Sequence, residues 1–152
     1  MRRIMSKISW DEYFYTIAEL IARRSNCVKS GRQIGAVIVK ENQILSTGYS
    51  GVAAGIKHCE VCPRATAKTS ERRDECPAVH AEINAIVLAA KRGISIDGAT
   101  IYCTLFPCSE CLSSLINAGI IEVVYGGDYV DRLNKDILKQ SKITSRRISS
   151  EG

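Results

Sequence analysis

The chain has 152 residues, 45% of them apolar and 24% charged: one globular domain by length and make-up, with intrinsic disorder excluded for most of it. Its longest apolar run, Ala85 to Ala90, is too short to span a membrane, and no apolar stretch follows the basic Met1–Lys7 start to make a secretory signal. The formal charge of +5 suits an anionic partner such as a nucleotide phosphate or a nucleic acid, or equally a solubilising surface excess.

Ser9-Trp10-Asp11-Glu12 reads as a capping box. Behind it Trp10, Tyr13, Phe14, Ile17, Leu20 and Ile21 recur at helical spacing, predicting a helix over 10–24 with Trp10 as its core anchor. Ile34–Val39 and Gln43–Thr47 read as a strand pair around a turn at Lys40-Glu41-Asn42. Ser50 to Pro77 reads as one long charged loop, which must be functional or tied down by something other than a core. A helix is predicted over 79–92, with Ile83, Ile86, Val87 and Ala90 on one side and Gly93 closing it. Then come a strand (99–105), a helix (108–118), a strand (121–125), a turn at Gly126-Gly127, a short helix (131–139) and an edge strand (143–148). This order describes a single domain, 1–152, with 149–152 a frayed tail: a sheet with helices on both faces. Its first two strands are expected antiparallel, and those joined through helices parallel.

The sharpest chemical signal comes in two pieces. His80-Ala81-Glu82 lies at the start of one predicted helix, and Pro107-Cys108-Ser109-Glu110-Cys111 at the start of the next. Cysteines at i and i+3 share a helix face, and at a helix N-terminus the dipole favours their thiolates. Two thiolates and one imidazole are three ligands of a tetrahedral zinc, the fourth position being left for water, as in catalytic rather than structural sites. Glu82 sits about 200° round a helix from His80 at 3.6 residues per turn. At the first turn, however, the two can converge above the helix end, His80 on the ion and Glu82 beside the water. The metal then acidifies water and the free carboxylate moves protons. A buried His with a redox or core Cys pair is the plainer alternative, and it leaves Pro107 and Glu82 without a purpose.

His-x-Glu with Pro-Cys-x-x-Cys is the signature of zinc nucleobase deaminases. Within them the chain resembles the deoxycytidylate (dCMP) deaminases from Trp10 to about Tyr129: in Arg24-Ser25-Asn26-Cys27, Ile34–Val39, Thr47-Gly48-Tyr49-Ser50-Gly51, His58-Cys59, His80–Ile86, Gly98–Tyr102, Asn117–Ile120 and Val123–Tyr125. The resemblance implies a cytidine-deaminase-like three-layer α-β-α fold with a mixed sheet of about five strands. It implies hydrolysis of dCMP to dUMP and ammonia, supplying dUMP for thymidylate synthesis. His80, Cys108 and Cys111 would hold the catalytic zinc and Glu82 would relay the protons. The Ala81 backbone N–H would hold the base carbonyl, and Tyr129 would pack on the pyrimidine, a surface tyrosine being the plainer reading. Where the family carries an Asn contacting deoxyribose, this chain has Ser50. The basic loop Lys29-Ser30-Gly31-Arg32 is longer than the family's and suits a phosphate, or is a solvated connector. A homo-oligomer, often a hexamer, and dCTP and dTTP as effectors are also implied, with no membrane and no stable nucleic-acid partner. Other substrates of the same chemistry are dCTP, deoxycytidine or an RNA base. A non-catalytic zinc module binding nucleic acid is the alternative from another class.

Seven cysteines without an export signal point to the cytoplasm and to metal or chemistry rather than disulfides. Cys27, Cys59, Cys62 and Cys76 supply the four thiolates of a closed structural zinc, with His58 as an alternate ligand. That site would order a loop with almost no apolar residues; exposed reduced thiols are the alternative. Cys103, inside a predicted strand, reads as core.

Overall fold

The computed structural model describes residues 5–68, 71–129 and 131–149. Helix α1 (Trp10–Ala22) starts on the Ser9 hydroxyl, which accepts from the Glu12 N–H at 3.1 Å. Strands β1 (Gly35–Lys40) and β2 (Gln43–Tyr49) form the expected hairpin, with Glu41 and Asn42 both at positive φ in the turn. Two-residue strands β3 (Gly51–Val52) and β4 (Ala78–Val79) pair with each other. Helix α2 (Ala81–Lys91), strand β5 (Thr100–Leu105), helix α3 (Ser109–Asn117), strand β6 (Glu122–Gly127), helix α4 (Arg132–Gln140) and strand β7 (Thr144–Arg147) follow.

The main sheet runs β2-β1-β5-β6-β7. β1 is antiparallel to both neighbours, while β5, β6 and β7 are parallel. This is the expected mixed five-stranded sheet. Side chains alternate across it: Val37, Val39, Tyr102 and Val124 pack with Phe14 and Ala18 of α1. Ala36, Ile38, Ile101, Cys103 and Val123 face α2 and α3. Cys103 is completely buried there, as expected of a core thiol.

One consequence of this topology positions the site. β2 and β5 run in the same direction on either side of β1. β3 and β4 tie the start of α2 to the end of β2 through the Gly51–Val79 pair, and α3 begins just past the end of β5. The N-termini of α2 and α3 therefore emerge at the same edge of the sheet.

Several local expectations are corrected. Trp10 is 53% exposed; its ring stacks on Phe14, which is the buried anchor. Arg23 and Arg24 lie beyond the end of α1. The 50–77 stretch is not unbroken loop, since it holds β3 and the 3-10 turn Arg73–Glu75. Val79 is strand, so α2 begins two residues later than its pattern suggests, with His80 as its cap. The buried face of α2 is Ala81, Ala85 and Ala89, whereas Val87 is exposed. Gly126 and Gly127 are not a turn: neither has positive φ, Gly127 continues the ladder opposite Leu105, and its carbonyl accepts from the Phe106 N–H at 2.8 Å. In the expected tail Ser149 is exposed and 150–152 lie outside the described residues.

Small residues win on α2 because the helix lies almost on the sheet. A Cβ on Gly48 of β2 would stand 2.1 Å from the Ala81 carbonyl oxygen and 2.5 Å from the Ala85 nitrogen. On the opposite face Gly35 gives α1 the same clearance, 2.0 Å from the Ala18 carbonyl. Beside it the Ser46 hydroxyl donates to the Ala85 carbonyl at 2.7 Å. Gly48→Ala is therefore expected to push the N-terminal half of α2 off the sheet. The expected cost is about 1–3 kcal/mol, as for other overpacked sites, with a fall in catalytic rate because Glu82 moves with the helix. Denaturant unfolding and steady-state turnover check both.

Candidate active site

Both metal-ligating motifs sit at helix caps. His80 is the N-cap of α2 and Cys108 the N-cap of α3; each has extended backbone, and neither side chain caps its own helix. The extended cap is what lets His80 and Glu82, on opposite sides of an ideal helix, face one cavity. His80 Nδ1 lies 3.2 Å from Cys111 Sγ and 3.5 Å from Cys108 Sγ. Ligand atoms of the three residues all fall within 4.8 Å of one another. Among the described residues this is the one group of His, Cys, Asp and Glu that converges so closely.

One imidazole nitrogen and two buried sulfurs are a zinc donor set, too soft for calcium or magnesium, which take oxygen. The protein already favours the ligating forms in part. A hydrogen bond from Cys111, with His80 alongside, pulls the Cys108 thiol down to about 4. The same hydrogen bond, together with burial and the nearby Glu82 carboxylate, pushes Cys111 up in turn. The bond to Cys108 raises His80. Two adjacent thiolates therefore require a cation to coexist.

Glu82 occupies the first turn of α2 and is buried, with 5% exposure. Desolvation raises its pKa, against the pull of His80. Glu82 lines a cavity of about 100 Å³ together with His80, Ala81 and Cys108. Leu105, Phe106 and Ile34 add apolar wall, and Phe106 is braced edge-on by Tyr125 at 4.8 Å.

The other expected site residues divide. Ser50, Tyr129, Lys29 and Arg32 line the same cavity. The Ser50 hydroxyl is heavily engaged: it donates to the Arg32 carbonyl (2.6 Å), accepts from the Ile34 N–H (2.9 Å) and lies 2.8 Å from Ser25 Oγ. Lys29 donates to the Arg64 and Ala67 carbonyls at 2.7 and 3.1 Å. Arg32 lies over the Tyr129 ring at 5.8 Å. Ser30 is exposed and does not line this cavity. Cys27, Cys62 and Cys76 line it, and Cys27, raised by burial, also senses the other three cysteines of its set. His58 Nε2 lies 3.1 Å from Asn26 Nδ2.

Three residues not expected from the sequence join the site. Arg73, from the 3-10 turn, donates to Glu110 at 2.6 Å and also reaches Cys108. Asp131 and Asn134 of the α4 start hold the segment around Cys108. An Asp just before a predicted helix is a recognisable cap signal, but nothing local announces its second partner.

Comparison with known proteins agrees with this geometry. The family model for the cytidine and deoxycytidylate deaminase zinc-binding region matches residues 8–127. A deoxycytidylate deaminase of Mycobacterium phage D29 is 40% identical over 128 residues, 80% of this chain and 97% of that protein. The Saccharomyces cerevisiae deoxycytidylate deaminase is 39% identical over 144 residues, 93% of this chain but 45% of the yeast protein, so the chain spans about half of that relative. The crystal structure of dCMP deaminase from cyanophage S-TIM5, in complex with dCMP and dUMP, superposes with a TM-score of 0.78 at 30% identity, covering 95% of this chain and all of that one. The fold is thus the expected cytidine-deaminase-like one. With the matched region enclosing His80, Glu82, Cys108 and Cys111, the chain belongs to the cytidine and deoxycytidylate deaminase zinc-binding family.

Proposed function

We propose that the protein deaminates deoxycytidylate hydrolytically, giving dUMP and ammonia and so supplying dUMP for thymidylate synthesis. The observation that carries the reading is a buried carboxylate, Glu82, sharing a cavity with His80 and Cys108, two members of the converging His80, Cys108 and Cys111 group. His80, Cys108 and Cys111 would hold zinc, whose chemistry there is to acidify water as a nucleophile. Glu82 takes the proton of the attacking water and passes it to ring nitrogen 3 as oxygen bonds to carbon 4. Burial raises its proton affinity, which makes it the stronger base. It delivers the second proton to the departing amino group, so that ammonia leaves and the carbonyl forms. The first N–H of α2, that of Ala81, is available to the base carbonyl, and Tyr129 offers an aromatic face.

Charge favours a phosphorylated substrate. Lys29 and Arg64 line the cavity and donate to neutral backbone carbonyls, so their positive charges are not cancelled by those bonds. Arg73, by contrast, is paired with Glu110. A neutral nucleoside gains nothing from such a field, whereas a nucleotide phosphate does. The phage relatives named as dCMP deaminases, similar over nearly their whole length, support the monophosphate. A non-catalytic zinc module gives no reason to bury Glu82 beside the ligands. A panel of dCMP, dCTP and deoxycytidine, run with and without dCTP or dTTP as effectors, tests the reading. The highest kcat/KM is expected for dCMP, and equal turnover of deoxycytidine refutes the phosphate argument. Sedimentation of the same sample tests the proposed homo-oligomer, a hexamer by resemblance.

Glu82→Gln is expected to keep fold and zinc while losing at least about 10²-fold in kcat, the share of a positioned acid–base group. Circular dichroism, metal content and turnover measured together check it, and near-normal activity refutes the role.

The same proposal includes a structural zinc on Cys27, Cys59, Cys62 and Cys76, supported by three of these cysteines, Cys27, Cys62 and Cys76, lining one cavity beside a loop poor in apolar residues. Metal analysis of fully loaded protein is expected to give about two zinc per chain, one open site and one closed four-ligand site. A content of about one removes the second site.

A further inference from the structure

The start of α4 is not needed to supply a ligand, yet it is fastened to the ligand-bearing segment at two points. Asp131 caps α4 through Oδ1, which accepts from the Leu133 N–H at 3.1 Å. Its other oxygen, Oδ2, accepts from the N–H of Ser109, the first residue of α3, at 2.8 Å. One carboxylate thus bridges the N-termini of two helices. One turn on, Asn134 is buried and donates through Nδ2 to the Pro107 carbonyl at 3.0 Å. The peptide units on both sides of Cys108 are therefore held from α4.

Asn134 is placed for this bond rather than for packing. Its Oδ1 is buried and has no hydrogen-bond partner among the described residues, a cost that an apolar residue of similar size would avoid. Cys108 is the N-cap residue of α3, but its side chain makes no capping hydrogen bond to the helix. An N-cap normally satisfies the first-turn N–H groups itself. Here Asp131 takes the Ser109 N–H, the first-turn donor adjacent to the cap residue, from outside the helix.

We infer that Asp131, with Asn134, is a positioning residue for the metal ligand Cys108, clamping the Pro107–Ser109 segment so that its sulfur is fixed toward His80 and Cys111. This rests on the zinc reading above. The clamp has a second reach: Tyr129, which lines the cavity, is two residues upstream of Asp131. Outer partners of this kind orient ligands and commonly govern affinity.

The capping and clamping roles separate by substitution. Ser and Asn cap α4 about as well as Asp, but neither offers two acceptor oxygens to two N–H groups at once. Wild-type, Asp131→Ser and Asp131→Asn proteins, full length and loaded with cobalt(II), are titrated with a competing chelator. The readout is the thiolate-to-cobalt absorption that Cys108→Ser abolishes, which isolates this site from the other cysteines. Retention is expected to weaken about tenfold or more in both variants, while the metal-free proteins melt within a few degrees of wild type because α4 stays capped. Wild-type retention in either folded variant overturns the inference. Should neither fold, Asn134→Leu carries the same readout, and unchanged retention there overturns it. Absence of any Cys108-dependent band in the wild-type protein overturns the zinc reading instead.

Discussion

Three acidic groups, Cys108, Cys111 and Glu82, are buried beside His80, and the surrounding architecture answers that concentration of potential charge. Burial of like charges is costly unless it is compensated. Two helix N-termini point their positive ends there, and Arg73 brings a cation to Cys108. These contributions do not by themselves balance two thiolates and a carboxylate, and the divalent ion proposed above would offset two of the three negative charges. The start of α2 is set against the sheet by a residue chosen for smallness, Gly48 beneath Ala81 and Ala85, as Gly35 is beneath Ala18 of α1 on the other face. Chemistry and packing are therefore one constraint, because the helix that carries His80 and Glu82 is also the helix that cannot tolerate a methyl group under it.

That coupling explains which parts of the molecule were legible in the sequence. His80, Glu82, Cys108 and Cys111 are short-range patterns whose meaning depends only on lying at helix starts, and caps and loops mark those starts locally. The strand pair and the helix–strand alternation are equally local. The buried face of α2 departs from its sequence pattern because periodicity weighs large apolar side chains, whereas the close approach at Gly48 selects alanine. Trp10 departs for the related reason that bulk does not say which of two stacked rings, its own or that of Phe14, lies under the other. Gly126 and Gly127 looked like a turn until a partner strand was known; pairing with Leu105 is non-local and leaves no trace in the dipeptide.

The long 50–77 segment shows a different limit. The basic loop Lys29–Arg32 suits a phosphate by sequence, and the structure gives its Lys29, like Arg64 of the 50–77 segment, internal work. Lys29 holds the Arg64 and Ala67 carbonyls, and Arg64 holds the Glu71 carbonyl at 2.7 Å. These bonds serve where apolar contacts are scarce, and cysteines from the same segment stand beside them. No sequence pattern distinguishes a lysine that braces backbone from one that meets a ligand.

Bracing and recognition are nonetheless compatible here, because a carbonyl accepts a hydrogen bond without removing the donor's charge. A cation fixed by two neutral acceptors is also preorganised: its rotamer entropy is spent in folding rather than on binding. The cavity thus carries immobilised positive charge from Lys29 and Arg64 and buried negative charge at Glu82. A nucleotide has the matching asymmetry, with an anionic phosphate at one end and, at the other, a base that must take up protons from a carboxylate. On the proposed reading the pocket orients a nucleotide by charge before any contact with sugar is made. This matters because the Ser50 hydroxyl, where a sugar contact was expected, is largely committed to Arg32, Ile34 and Ser25.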